Sequence, residues 1–278
     1  MVGLALGGGG ARAFAEVGAL RALAEAGIPV DVIGGTSMGA VVGALAALGQ
    51  DAHEIQATLR GMLGIKPFSG LTLPLVSLLS GRRLAQAMRA LFGEKAIEDL
   101  WRRYFCVACN LTHGTVKTAE FGSLRRWVSA SNAVPGIMPP LVEGGELYVD
   151  GGLLNNVPAD LMAGLNAGPV IAVNVSGVTA LRAGVADDAD LSGWSVLMRG
   201  LTDGAAEGPP RLGRLLVRAM LLASSNHAAA MRGCASLYLT PPLEGVDVGD
   251  RYARALDEAG YAYTSKALET WNPDAAKN

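Results

Sequence analysis

The sequence predicts an α/β fold with a parallel sheet covered by helices. In the first fifty residues, short apolar stretches at 2–6 and 30–33 have the character of buried strands, and apolar residues recur at helical spacing over 11–26 and 40–48. Strands that alternate with helices form parallel sheets, because each helix returns the chain to the same edge. The 37 glycines among 278 residues suit the tight turns and close helix–sheet packing of this class.

The rest of the chain continues this pattern with two interruptions. Helices are predicted at 53–63, 82–92, 124–130, 215–231 and 250–269, and strands at 105–111, 116–121, 147–149, 170–175 and 236–239. Residues 64–81 are apolar but lack clean periodicity, and 177–213 form a variable, glycine- and aspartate-rich loop region. No polar linker divides the chain, so we expect a single domain over 1–278.

Composition excludes several functional classes. The net charge of −2 gives no basic excess for a nucleic-acid partner. The three cysteines favour a reducing, cytoplasmic compartment, and Cys106 and Cys109 would need two more ligands to hold zinc, so we predict no metal and no cofactor. No charge-free apolar run of about 18 residues occurs. We therefore expect a soluble protein, with peripheral membrane contact left open.

The segment Gly35-Thr36-Ser37-Met38-Gly39 fits the G-x-S-x-G nucleophile elbow. It lies between a predicted strand and a predicted helix, which is the context that the motif requires. A serine on so sharp a turn needs small neighbours, which Gly35 and Gly39 supply. The helix N-terminus that follows favours negative charge at the serine. The alternative is an ordinary strand–helix turn with a capping serine.

A second glycine-rich loop, residues 7–10, follows the first strand. It lacks the GK[ST] ending of a phosphate-binding P-loop. A dinucleotide-binding loop remains an alternative, with Asp31 as the acidic residue, although the last glycine of that fingerprint is missing. An oxyanion hole fits best, because two strand-to-helix turns of neighbouring parallel strands meet at one sheet edge.

The catalytic base is the next question. His53, His113 and His227 each lie in a setting that suggests surface or capping roles, so a Ser–His–Asp triad is not favoured. Asp150 ends a predicted strand and precedes two glycines, which would place its carboxylate at the sheet edge. Burial and direct hydrogen bonding can raise its basicity. The alternative is a common turn aspartate.

Four ordered segments resemble those of the patatin-like phospholipases, in particular bacterial members similar to neuropathy target esterase. They are the opening VGLALGGGGARAFAEVGALRALAEAGI, the elbow GTSMG, SASNAVPGIMPPL at 129–141 and DGGLLNNVPADL at 150–161. The resemblance covers most of the chain, and four motifs in order are far more specific than one. It implies a three-layer α/β/α fold around a mainly parallel sheet, and activity on lipid acyl esters.

The resemblance also implies roles for individual residues. The nucleophile and base of a Ser–Asp dyad fall on Ser37 and Asp150, and the oxyanion hole is carried over to Gly8, Gly9 and Gly10, with the N–H of Met38 a further candidate. Arg12 matches the family's basic position, where it either contacts an anionic head group or braces the loop. One departure is Ala13, which replaces the family's glycine and puts the loop geometry in question.

The function expected is a two-step acyl transfer to water through a covalent acyl-enzyme. Residues 64–81 would line an acyl-chain channel or form a cap, or would simply pack on the core. Two other functions stay open. One is an acyltransferase that uses the same acyl-enzyme, and the other is a non-catalytic protein that binds a lipid or phosphate. The sequence leaves the oligomeric state open.

Overall fold

A mixed sheet of eight strands organises the part of the chain that the computed structural model describes, residues 1–165, 168–177, 191–195, 212–225, 228–243 and 252–272. The sheet order is β5-β6-β3-β2-β1-β7-β8, with β4 also paired to β3. In chain order the strands are β1 (Gly3–Leu6), β2 (Val32–Thr36), β3 (Arg103–Asn110), β4 (Thr115–Ala119), β5 (Leu141–Glu143), β6 (Glu146–Asp150), β7 (Val170–Val173) and β8 (Leu237–Leu239).

Helices cover both faces of this sheet. Those described are α1 (Phe14–Glu25), α2 (Met38–Ala47), α3 (Ala52–Gly64), α4 (Arg82–Phe92), α5 (Leu124–Ser131), α6 (Ala159–Leu165), α7 (Leu212–Ser225), α8 (Ala228–Gly233) and α9 (Tyr252–Leu268). Short 3-10 turns occupy Gly10–Ala13, Ile97–Asp99 and Gly151–Leu153. None of the described helices has both the length and the apolar character needed to cross a bilayer.

The three-layer arrangement follows from the alternation of side chains along the strands. In β1, Leu4 and Leu6 face a large core formed with α1, α2 and α9, whereas Ala5 between them faces a second core that includes Met162 of α6. Successive strand residues point to opposite faces, so a strand buried on both sides must be apolar throughout. The predicted helix-covered α/β sheet is confirmed.

The sheet is parallel from β3 through β2, β1 and β7 to β8, and antiparallel where β4, β5 and β6 join. The strand β5 was not predicted from the sequence. It is joined to β6 by Gly144 and Gly145, whose φ angles are 58° and 82°. A two-residue hairpin of the favoured type needs positive φ at both positions, which glycine adopts without strain. The Gly-Gly pair was the available signal for this hairpin.

Other boundaries correct the expectations. The helix predicted over 215–231 is two helices, α7 and α8, and α6 was not predicted. The first helix begins with a 3-10 turn at Gly10–Ala13, before α1. Most of the predicted loop region 177–213 lies outside the described residues.

The register of β3 brings two distant segments together. Thr36, the last residue of β2, pairs with Val107, and Asp150, the last residue of β6, pairs with the next residue, Ala108. Because β6 is antiparallel to β3 and β2 is parallel to it, the two strands approach along β3 from opposite directions. Their ends therefore meet, which places Ser37 beside Asp150.

Candidate active site

Ser37 occupies a strained turn between β2 and α2. Its φ and ψ are 54° and −127°, a backbone conformation that residues other than glycine rarely adopt and that concentrates at functional sites. A Cβ on Gly35 would lie 2.4 Å from the carbonyl oxygen of Gly39, and one on Gly39 would lie 2.6 Å from that of Gly7. Only glycine fits on either side of this serine.

The side chains of Ser37 and Asp150 are in direct contact. The Ser37 hydroxyl donates to Oδ2 of Asp150 over 2.8 Å, and the backbone N–H of Gly152 donates to Oδ1 over 2.8 Å. Asp150 is fully buried. Burial raises the pKa of Asp150 from 3.8 to about 7, although both hydrogen bonds act to lower it. The carboxyl can therefore exchange a proton near neutral pH.

No histidine in the described part of the chain hydrogen-bonds to this pair. His53 is exposed on α3, and Nε2 of His113 lies 2.9 Å from Oε1 of Glu146 at the turn after β3. His227 lies outside the described residues. Asp150 is the group within reach of the Ser37 proton.

The glycine loop lies against Ser37, but its amides are not equivalent. The N–H of Gly8 donates to the carbonyl of Asn156 over 3.0 Å, and Nδ2 of Asn156 donates back to the Gly8 carbonyl over 3.0 Å. The oxyanion role expected for Gly8 is therefore corrected, because its donor is already used. A Cβ on Gly8 would lie 3.0 Å from that of Ser37, so Gly8 permits close approach instead.

Three other amides remain available. The N–H groups of Gly9, Gly10 and Met38 donate to no acceptor among the described residues. All three residues line the cavity into which Ser37 faces. Gly10 has a φ of +59° with open space around the position of a Cβ. Convergent amides beside a serine hydroxyl can stabilise a developing oxyanion.

The backbone of Ser37 is held on both sides by the end of α5, which sequence reasoning did not identify as functional. The Ser37 N–H donates to Oγ of Ser131 over 2.8 Å, and this hydroxyl donates to the Val107 carbonyl over 2.6 Å. Nδ2 of Asn132 donates to the carbonyls of Ser37 and Val128, both over 2.9 Å. The signal was the SASN sequence in the segment 129–141.

Arg12 lies at the other end of the glycine loop. One of its guanidinium nitrogens donates to the carbonyl of Ser176 over 3.1 Å and to that of Gly177. These bonds connect the loop to the segment after β7, which corresponds to the bracing role considered for this arginine. Arg12 also lines the cavity.

A cavity of about 730 Å³ opens beside Ser37. Its lining is mostly apolar, and residues 64–81 contribute to it through Phe68, Leu71, Leu78 and Leu79. The exposed fractions of Leu73 and Leu75 are 72% and 83%, so these side chains do not pack on the core. A volume of this size is typical of pockets that hold small organic ligands.

The alternative chemistries are not supported by their geometry. Asp31 precedes β2, at the sheet edge opposite the glycine loop, and accepts a bond from the Val2 N–H over 2.6 Å. Asp31 therefore cannot contact a dinucleotide bound at the glycine loop.

The cysteines do not form a metal or redox site. Cys106 and Cys109 are buried in β3, and burial raises the pKa of Cys106 to about 12. No cluster of three or more potential metal ligands occurs in the described residues.

Comparison with known proteins identifies the family of this arrangement. Residues 4–163, which contain the glycine loop, the elbow and Asp150, match the family described as patatin-like phospholipase. The chain belongs to the patatin-like phospholipase family. The patatin-like relatives described below are much longer proteins, and this chain spans about a fifth or less of each.

Three of these patatin-like relatives show the range of similarity. Lysophospholipase nte1 of Aspergillus fumigatus is 35% identical over 285 residues, which cover 96% of this chain and 18% of that protein. Patatin-like phospholipase domain-containing protein 6 of Homo sapiens is 33% identical over 282 residues, which cover 98% of this chain and 20% of that protein. Patatin-like phospholipase domain-containing protein 7 of Mus musculus is 42% identical over 214 residues, which cover 71% of this chain and 15% of that protein.

A solved structure supports the same fold. VipD from Legionella pneumophila superposes with a TM-score of 0.55 at 16% identity, covering 97% of this chain and 67% of that one.

The structure accommodates Ala13 by packing. This residue is buried in the large core that Leu4 and Leu6 also face. It is not among the residues that line the cavity beside Ser37.

Proposed function

We propose that this chain is a serine acyl hydrolase that cleaves lipid acyl esters, with Ser37 as nucleophile and Asp150 as base. The observation that carries the proposal is the 2.8 Å hydrogen bond from the Ser37 hydroxyl to a buried carboxylate whose pKa is raised to about 7. A base that titrates near neutral pH accepts a hydroxyl proton far better than an ordinary aspartate. No imidazole is needed for this step.

In the first step, Oγ of Ser37 forms a bond to the ester carbonyl carbon while its proton passes to Oδ2 of Asp150. The carbonyl electron pair moves to oxygen, where the N–H groups of Gly9, Gly10 and Met38 stabilise the charge. The tetrahedral intermediate then expels the alcohol, which takes the proton from Asp150. The product of this half-reaction is an ester between Ser37 and the fatty acid.

In the second step, water attacks the acyl-enzyme and gives one proton to Asp150. The same amides stabilise the second oxyanion. When the intermediate collapses, the bond to Oγ breaks, Ser37 regains its proton from Asp150, and the free fatty acid leaves. Atoms and charges balance with the ester and water as the only reactants, so we propose that no cofactor takes part.

The apolar cavity supports a lipid as the source of the ester. Its lining by Phe68, Leu78 and Leu79 suits an acyl chain. Arg12 lines the same cavity, and we propose that its positive charge favours a phosphate-bearing head group there. Relatives named as lysophospholipases support a lysophospholipid or phospholipid as substrate. Such lipids reside in membranes, so we also propose peripheral contact with a membrane surface from the cytoplasm.

A fluorophosphonate probe tests the nucleophile. The wild-type chain should be labelled, and Ser37→Ala should not. Ser37→Ala and Asp150→Asn should each lower kcat for p-nitrophenyl esters and lysophosphatidylcholine by about a thousandfold or more. His113→Ala is the matched control and should retain activity. Labelling of the Ser37→Ala variant would mean that another serine is the nucleophile.

Product analysis separates hydrolysis from acyl transfer. In water alone the proposal predicts free fatty acid at the rate of ester loss. If the fatty acid appears only as a new ester when an alcohol acceptor is added, the chain is an acyltransferase. If the chain binds lipid but neither reacts with the probe nor releases fatty acid, it is a binding protein.

A further inference from the structure

An apolar hairpin, residues 70–80, projects from the connection between α3 and α4. Leu71 and Leu79 form an antiparallel bridge, the Thr72 N–H donates to the Leu78 carbonyl over 3.1 Å, and the Ser80 N–H donates to that of Gly70 over 2.9 Å. These bonds close the base of the hairpin. Residues 72–76 form its tip.

The hairpin is attached to the body of the fold. The N–H groups of Leu78 and Leu79 donate to the carbonyls of Gly136 and Ile137, each over 2.9 Å. The hydroxyl of Ser77, which is buried, donates to the Leu79 carbonyl over 2.7 Å. Because one side of the hairpin is fixed in this way, its tip has a defined position.

The tip and the adjacent Leu71 present large apolar side chains to water. Leu71, Leu73, Leu75 and Val76 are 87%, 72%, 83% and 68% exposed. Single exposed apolar residues are common on protein surfaces, but a contiguous group on a fixed hairpin is typical of an interaction site. The sequence of the tip also contains no charged residue.

The hairpin is continuous with the candidate active site. Leu71, Leu78 and Leu79 line the cavity that contains Ser37, and Leu71 is also among the exposed residues. The hairpin therefore runs from the cavity wall to the surface at its mouth. A surface that covers the tip would lie next to the entrance for an acyl chain.

Charge around the hairpin indicates which surface fits. From 55 to 93 the sequence contains five arginines and lysines and no aspartate or glutamate, although the whole chain has a net charge of −2. Lys66, Arg82 and Arg83 are exposed, and Arg83 donates to the Ser69 hydroxyl near the hairpin base over 2.9 Å. An apolar tip flanked by cations matches the interface of a bilayer with anionic lipids.

We propose that the apolar hairpin docks onto a lipid surface that carries anionic head groups. Leu73, Leu75 and Val76 enter the boundary between head groups and acyl chains, and Lys66, Arg82 and Arg83 contact lipid phosphates. The docked hairpin aligns the cavity mouth with the membrane, so that an acyl ester can reach Ser37. This last statement rests on the proposed function, whereas docking itself does not.

The test is co-sedimentation with vesicles of phosphatidylcholine alone or mixed with phosphatidylglycerol. It is carried out in the Ser37→Ala background, so that no lipid is consumed. The triple variant L73S/L75S/V76S should bind the mixed vesicles about tenfold or more weakly. Trp101→Ser is the matched control. Trp101 is 87% exposed but precedes β3, at the sheet edge opposite Ser37, and its variant should bind as the parent does.

Charge is tested by K66E/R82E, which should bind mixed vesicles more weakly while leaving the weaker binding to pure phosphatidylcholine unchanged. Equal binding of the triple variant and its parent, or no binding of the parent to either vesicle, would overturn the proposal. It would also be overturned if the parent were a dimer that the triple variant converts to a monomer, because a second copy would then cover the tip.

Hydrolysis distinguishes this proposal from the proposed function. With Ser37 present, the triple variant should hydrolyse the soluble ester p-nitrophenyl butyrate at the wild-type rate and lipid in mixed vesicles about tenfold more slowly. If the wild type binds vesicles through the tip but cleaves neither substrate, docking stands and the proposed function fails. If it cleaves both and the tip variant is unaffected, the proposed function stands and docking fails.

Discussion

The hydroxyl of Ser131 accepts a hydrogen bond from the backbone N–H of Ser37 over 2.8 Å. This bond joins the end of α5 to the elbow. The same hydroxyl donates to Val107 of β3. Ser131 therefore connects the nucleophile to the strand whose register also positions Asp150.

Ser131→Ala should weaken catalysis without removing the nucleophile. The change leaves the Ser37 N–H and the Val107 carbonyl without this partner, which should destabilise the fold by about 1–3 kcal/mol and loosen the strained turn. We expect slower fluorophosphonate labelling and a lower kcat, with a smaller change in KM. Ser129→Ala is the control, because the Ser129 hydroxyl bonds within α5 to Arg125. Equal labelling rates in both variants would contradict the positioning role.

The pH dependence of activity should report the ionisation of Asp150. Only its deprotonated form can accept the Ser37 proton, and burial raises its pKa to about 7. The value of kcat/KM should therefore rise by about tenfold per pH unit below neutrality and level off above it. Initial rates with p-nitrophenyl butyrate across this range would measure the midpoint. A profile already level at pH 5 would show that Asp150 is not the titrating base.

Asp150→Asn should stabilise the fold while it abolishes turnover. Because the pKa in the folded state, about 7, lies above the ordinary 3.8, the folded chain binds the proton more tightly than the unfolded chain. The stabilisation from the protonated carboxyl is complete below about pH 4 and is lost as pH rises through about 7. The ionised carboxylate then destabilises the fold by about 4 kcal/mol.

The asparagine variant removes this penalty, because its oxygen can still accept from the Gly152 N–H. Urea unfolding at pH 8 should show a gain approaching that figure, and at pH 4 little gain. Asp51→Asn is the control, since Asp51 is an exposed helix cap and asparagine caps equally well. A gain that does not depend on pH would mean that the ionised carboxylate of Asp150 does not destabilise the fold.

Gly8→Ala should lower catalytic activity more than a glycine-to-alanine substitution in a turn away from the site. The added Cβ would lie 2.5 Å from Oδ1 of Asn156 and 3.0 Å from the Cβ of Ser37, so the loop must move away from the nucleophile. We expect kcat to fall by about a hundredfold. Gly27→Ala is the control. Its φ is +68° but nothing lies within 4 Å, so it should lose about 1 kcal/mol of stability and no activity.

The helices and strands near the site were largely predictable because their signals are local. The bounds predicted for α4, residues 82–92, agree with the structure, since a strongly periodic apolar face identifies a helix without reference to other segments. The hairpin of β5 and β6 has only three paired positions. Strands this short are stabilised by pairing with their neighbours, so their amino-acid composition is a weak signal for predicting them.

The amides of the glycine loop show where prediction from sequence ends. Gly8, Gly9 and Gly10 are chemically identical, and each appeared equally suited to bind an oxyanion. Only the packing of Asn156 against the loop decides that Gly8 is a donor to another carbonyl. Ser131 is a similar case. A buried serine has the same side chain wherever it lies, and only the folded chain places this hydroxyl between the Ser37 N–H and the Val107 carbonyl.

The sequence by itself determined the elbow. The spacing of Gly35, Ser37 and Gly39 is a local signal, and a Cβ on Gly35 would already meet the carbonyl of Gly39 within the turn. Tertiary structure decided which base meets that serine. Ser37 and Asp150 are 113 positions apart, and they meet because β2 and β6 end opposite consecutive residues of β3. Strand register depends on the packing of the whole sheet, and the same packing buries Asp150 and so raises its pKa.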